Sequence, residues 1–154
     1  MVPKGFFVTS GKAVSPTSEL NAFDLALKNA GIAQYNLVPV TSIIPPNCKE
    51  EKEPTRMVEG TITFAVVARM DGSEGTIISA GIAWAWEKNK SYGIVAEAHG
   101  HMDKDGLRSL LEWKIKEMAK IRNIEIGEIR YRVESLKIPM DNYGSVVAAL
   151  VYIF

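Results

Sequence analysis

A disulfide framework cannot stabilise this chain, because Cys48 is its only cysteine. That thiol follows Pro46-Asn47 in a polar segment with no setting that lowers a thiol pKa, so it reads as a bystander rather than a nucleophile. A lone cysteine also suits a reducing cytoplasm. Charge of one sign is missing too: 18 lysines and arginines balance 18 aspartates and glutamates, so no net field draws nucleic acid or an anionic membrane. No apolar run approaches the roughly 20 residues needed to span a bilayer. The start, Met1 to Phe7, lacks the long apolar core and small-residue cleavage site of a secretory signal, and a cytoplasmic protein is expected. Histidine is scarce, limited to His99 and His101. Spaced two apart before Asp103, they could grip a metal, but Lys104 stands where a third imidazole belongs. Two imidazoles and a loop aspartate fall short of the three or four ligands of a stable zinc site, so no metal is expected. There is no G-x-S-x-G elbow and no glycine-rich phosphate loop; Asp71 to Gly75 is acidic and reads as a turn.

What is present is an ordinary globular composition, 47% hydrophobic and 23% charged over 154 residues, enough for one domain, 1–154, with a proper core. Ser18 to Ala30 reads as a helix capped by Ser18 or Thr17, with Leu20, Phe23, Leu27 and Ala30 on one face and Gly31 as its stop. Tyr35 to Ile44 reads as a strand, interrupted at Pro39 and stopped by Pro45-Pro46. Asn47 to Glu59 reads as a polar, mobile loop. Thr61 to Met70 and Thr76 to Trp86 flank the Asp71–Gly75 turn and read as a hairpin. Tyr92 to His99 is another strand. Asp103 or Asp105 opens a second helix with the stripe Leu107, Leu110, Leu111, Ile115, Met118 and Ala119. Glu128 to Ile138 alternates as a half-buried strand should, and Ser145 to Phe154 is apolar enough for a central one. Trp84, Trp86 and Trp113 read as core or subunit contacts. The sum is an α+β protein, a large and mainly antiparallel sheet system covered by two main helices.

Three groups could carry chemistry. Ser42, preceded by Thr41 and followed three residues later by Pro45-Pro46, has the amide of Asn36 six residues upstream. Such a serine could attack the peptide bond before it, provided a donor stabilises the oxyanion. Prolines on both sides could hold that strand end under strain. Glu97 lies in Gly93-Ile94-Val95-Ala96-Glu97-Ala98, where desolvation would raise its pKa and keep it protonated; the alternative is a strand-edge glutamate facing water. Asp24 flanks the apolar stripe of the first helix, at the rim of a pocket or simply paired with Lys28.

The ordered set Leu20-Asn21-Ala22-Phe23-Asp24, Ala30-Gly31, Asn36-Leu37 with Thr41-Ser42-Ile43 and Pro45-Pro46, Gly93-Ile94-Val95-Ala96-Glu97, and Lys116 with Met118-Ala119-Lys120-Ile121 resembles the pyruvoyl-dependent arginine decarboxylases, from about Gly5 to the last strand. The resemblance implies a proenzyme with a four-layer αββα sandwich, assembled as a homotrimer with sites between subunits. It implies self-cleavage between Thr41 and Ser42 into 1–41 and 42–154, with Asn36 as the donor to the oxyanion. It further implies a covalent pyruvoyl group made from Ser42, which forms a Schiff base with arginine and accepts the electron pair as CO₂ leaves. Glu97 matches the general acid and Asp24 the guanidinium-binding carboxylate. Agmatine is the implied product. The same chemistry on another amino acid, or a trimeric relative that never cleaves, stays open at this point.

Overall fold

The structure, a computed structural model, describes residues 1–154. In chain order its elements are β1 (Gly5–Ser15), α1 (Glu19–Asn29), β2 (Asn36–Pro39), β3 (Ile43–Ile44), β4 (Lys49–Glu51), β5 (Ile62–Ser73), β6 (Ile77–Trp86), β7 (Gly93–Gly100), α2 (Lys104–Ile121), β8 (Arg130–Lys137) and β9 (Tyr143–Ile153). Both helices begin where a side chain can satisfy an orphan amide. The Ser18 hydroxyl accepts from the Asn21 N–H, and the Asp103 carboxylate accepts from the Gly106 N–H. Gly31, at φ 77°, takes the left-handed turn that ends α1.

The strands form two sheets. In the first, ordered β2-β5-β9-β1-β4, β9 runs antiparallel to both neighbours, while β2 and β4 add parallel edges. The second, β3-β7-β6-β8, is antiparallel throughout. Strand alternation then sorts the side chains. Phe6, Val66, Val146, Ala148 and Leu150 face the second sheet and meet Ile78, Ile82, Trp84 and Val95. Phe7, Val147, Ala149 and Val151 face outward onto Ala26 and Ala30 of α1. Leu107, Leu111, Ile115 and Ala119 of α2 cover Ala83, Ile94, Ala96 and Val133 on the outer face of the second sheet. The layers run α1, sheet, sheet, α2, the expected αββα sandwich. Neither helix is long and apolar enough to cross a membrane.

Several local expectations change. Tyr35–Ile44 is not one strand: β2 pairs with β5 in the first sheet and β3 with β7 in the second, so the chain crosses between sheets just after Pro39, which has no N–H to extend the ladder. Nor do β5 and β6 form a hairpin. They lie in different sheets, β5 bonded to β9 and β6 to β7 and β8, because folding one over the other buries an apolar face of each. Within Asn47–Glu59, Lys49–Glu51 pairs in parallel with β1. The α1 stripe also shifts. Leu20 is 71% exposed, while Ala22, Ala26 and Ala30 are buried, since small residues let the helix lie close on β1. Gly11 makes the same allowance from the strand side: a Cβ there would stand 2.2 Å from the Ala26 carbonyl oxygen.

Candidate active site

The crossing between the sheets is where Thr41 and Ser42 lie. Val40 still donates its N–H to the Ala65 carbonyl of β5 (2.9 Å), whereas the Ser42 carbonyl already accepts from Val95 N–H of β7 (2.9 Å). The Thr41–Ser42 peptide therefore bridges the two sheets. The segment is fastened on its far side by Tyr152, whose phenol reaches from β9 to donate to the Ile43 carbonyl at 2.6 Å. Burial, with Cys48 nearby, pushes the Tyr152 phenol up to about 12, so it stays a donor. Left-handed strain is absent here. The non-glycine residues with positive φ are Asn47, Lys90, Asn123 and Asp141, so the flanking prolines shape the crossing without forcing Thr41 or Ser42 into a left-handed conformation.

On β7, Ile94, Ala96 and Ala98 face α2, while Val95 enters the core between the sheets. Glu97 shares the Val95 face and emerges two residues on, at the rim of that core. A cleft of about 390 Å³ has Thr41, Ser42, Val95, Ala96 and Glu97 on one wall; Trp113, Lys114, Glu117, Met118 and Ile121 of α2 form the other. Burial raises the Glu97 carboxyl above its ordinary range, and the Lys114 ammonium, then His99, draw it partly back. Glu97 is exposed by area at the cleft mouth, but the apolar walls still withdraw enough water to make its charged form more costly than in bulk solvent. Lys114 also donates to the Glu97 main-chain carbonyl at 3.0 Å.

The other two sequence candidates lie apart from this cleft within one chain. Asn36 opens β2, and its side-chain amide donates to the Gly60 carbonyl at 2.9 Å. Four strand residues at about 3.3 Å each, roughly 13 Å, separate it from Val40. Asp24 is exposed on α1, which covers the outer face of the first sheet, the far side from Ser42. It makes no ion pair, Lys28 included. His99 and His101 are exposed, with His101 Nδ1 3.2 Å from the Ile77 carbonyl. No group of three His, Cys, Asp or Glu side chains is gathered in metal-binding fashion. Trp113 stands 61% exposed at the cleft rim, whereas Trp84 is core. Sequence reasoning passed over Lys114; its signal was the helical spacing of Trp113, Lys114, Glu117, Met118 and Ile121, a second face beside the buried stripe.

A family model described as pyruvoyl-dependent arginine decarboxylase matches residues 5–154. The chain is similar to the pyruvoyl-dependent arginine decarboxylase of Methanopyrus kandleri, at 35% identity over 151 residues, covering 98% of this chain and 97% of the relative. It is also 35% identical over 148 residues to the enzyme of that name from Methanothermobacter thermautotrophicus, covering 95% and 94%. To pyruvoyl-dependent arginine decarboxylase 2 of Archaeoglobus fulgidus it is 32% identical over 158 residues, covering 99% and 98%.

Proposed function

Because the chain belongs to the pyruvoyl-dependent arginine decarboxylase family, we propose that it is a self-processing proenzyme that converts L-arginine to agmatine and CO₂. The observation that carries this reading is one cleft holding both the Thr41–Ser42 pair and Glu97, whose carboxyl pKa burial raises above its ordinary value. Processing starts with Ser42 Oγ attacking the Thr41 carbonyl carbon, so that the amide becomes an ester. Loss of the Ser42 α-proton then breaks the Cβ–O bond and releases residues 1–41 with a carboxylate on Thr41. Residue 42, now dehydroalanine, takes up water and loses ammonia, leaving a pyruvoyl carbonyl at the head of 42–154.

Ser42 fits that group. It is half-buried, held at the cleft by its own carbonyl, and flanked by the apolar Val95, Ala96 and Met118. The pyruvoyl carbonyl supplies an electron sink for the pair left when CO₂ departs. The chain's own residues do the rest. Glu97 holds a proton on its carboxyl and delivers it to the former α-carbon. Asp24 takes the guanidinium in a two-pronged ion pair, and Asn36 donates to the oxyanion during processing. Since one chain leaves Asp24 and Asn36 away from its own cleft, we place them in the cleft of a neighbouring copy within a homotrimer. Localisation in the cytoplasm accords with the single free Cys48.

Denaturing mass spectrometry of the purified protein tests the reading. Fragments 1–41 and 42–154, the larger carrying a pyruvoyl end, together with agmatine formed from arginine, are the expected result. An intact chain that leaves arginine untouched would remove the proposal.

A further inference from the structure

Main-chain groups at one edge of β7 run beside Ser42. The Val95 N–H bonds to the Ser42 carbonyl, and alternation along a strand directs the main-chain groups of Glu97 to the same edge. β3 contributes only Ile43 and Ile44 opposite Ile94 and Gly93, so no strand reaches Glu97. Lys114 fills that gap: its ammonium donates to the Glu97 carbonyl at 3.0 Å, as the N–H of a continuing strand would. Two further ammonium protons remain, and no carboxylate is paired with them, since none of the ion pairs includes Lys114. The Glu97 N–H faces outward beside it. Among the side chains lining the cleft, Lys114 is the one cation, against the two carboxylates of Glu97 and Glu117.

Arginine brings a carboxylate as well as a guanidinium. Beside the Glu117 carboxylate the substrate's carboxylate would be repelled unless a cation received it. We propose that Lys114, with the Glu97 main-chain N–H, seats the α-carboxylate of the substrate. The inference rests on the arginine decarboxylase reading above and deepens it. The contact is still made as the C–C bond begins to break and is lost only when CO₂ leaves uncharged, so it binds substrate and transition state alike and lets agmatine depart. Lys114 is thereby a specificity residue for an amino acid over the corresponding amine.

Lys114→Met keeps the length of the side chain and removes the charge. In the processed holoenzyme it should raise the arginine KM about ten- to a hundredfold, the scale of one charge-assisted hydrogen bond, with kcat changing far less. The inhibition constant of agmatine, which lacks the carboxylate, should stay within about twofold. Lys114→Arg should recover most of the lost affinity. An unchanged KM, or an agmatine constant that rises in step with KM, overturns the proposal, because a purely structural role would weaken both ligands alike. Wild-type enzyme that processes itself but does not decarboxylate arginine would strike the functional reading and this inference together. Wild-type turnover with an unaltered Lys114→Met strikes this inference alone.

Discussion

At the residue scale, the proposed mechanism turns on the protonation state of Glu97. Glu97→Gln should leave processing intact and lower arginine turnover by about 10²–10⁴-fold, the usual contribution of a positioned proton donor, measured as kcat on fully cleaved enzyme. Its pKa is raised by burial. The neutral form is therefore favoured on folding, and the donor is lost as pH climbs through that raised value, so kcat should fall on the alkaline side. Lys114 is the larger of the two influences pulling the pKa back, so Lys114→Met should move that limb to higher pH, and a limb that does not move would exclude this electrostatic link. Tyr152→Phe removes the donor to the Ile43 carbonyl; we expect about 1 kcal/mol of stability lost and slower appearance of the two fragments on a denaturing gel. Ser42, Glu97 and Asp24 could be nominated because each sits in a motif with a fixed place in the ordered set, and the structure brings Ser42 and Glu97, but not Asp24, into one cleft. Lys114 was not, because on the sequence it is one helix lysine beside Lys116 and Lys120, and only its hydrogen bond to Glu97 sets it apart.

At the scale of the element, both helices and β9 could be read from capping and periodicity, since these are local properties. Sheet membership could not. The apolar alternation of β5 and β6 is the same whether the strands bond to each other or stack face to face, and the structure chooses stacking. β1 was missed altogether. Glycines, a lysine and serines dilute its pattern, and what makes it a strand is its position between β9 and β4. The closest helix–sheet approach depends on Gly11, where a Cβ would stand 2.2 Å from the Ala26 carbonyl oxygen and 2.7 Å from the Ala30 nitrogen. Gly11→Ala must push α1 outward, at a cost of about 1–3 kcal/mol or more, read as a lower Tm in the uncleaved Ser42→Ala background. An unchanged Tm there would mean that α1 packs more loosely than these distances require.

For the whole molecule, the separation of Asp24 from the Ser42–Glu97 cleft leads to a mixing experiment. Ser42→Ala chains and Asp24→Ala chains should each be nearly inactive on arginine at low concentration. Unfolded together and reassembled, they should recover part of the activity, because some interfaces then join an intact Ser42 to an intact Asp24. If the mixture is no more active than the sum of its parts, both residues serve within one chain. The proposed processing would have a second consequence at this scale, set by the position of β1. All eleven residues of β1 pair with β9, and β4 closes its other edge, so a product 1–41 would hold an interior strand, β1, and an edge strand, β2, of a sheet whose β4, β5 and β9 belong to 42–154. A protein cut there would be held together without a covalent link across the break, and once denatured it would become two separate solutes. Recovery of its secondary structure should then depend on protein concentration, whereas an uncut Ser42→Ala chain should regain it at a rate independent of dilution: self-cleavage changes the kinetic order of folding.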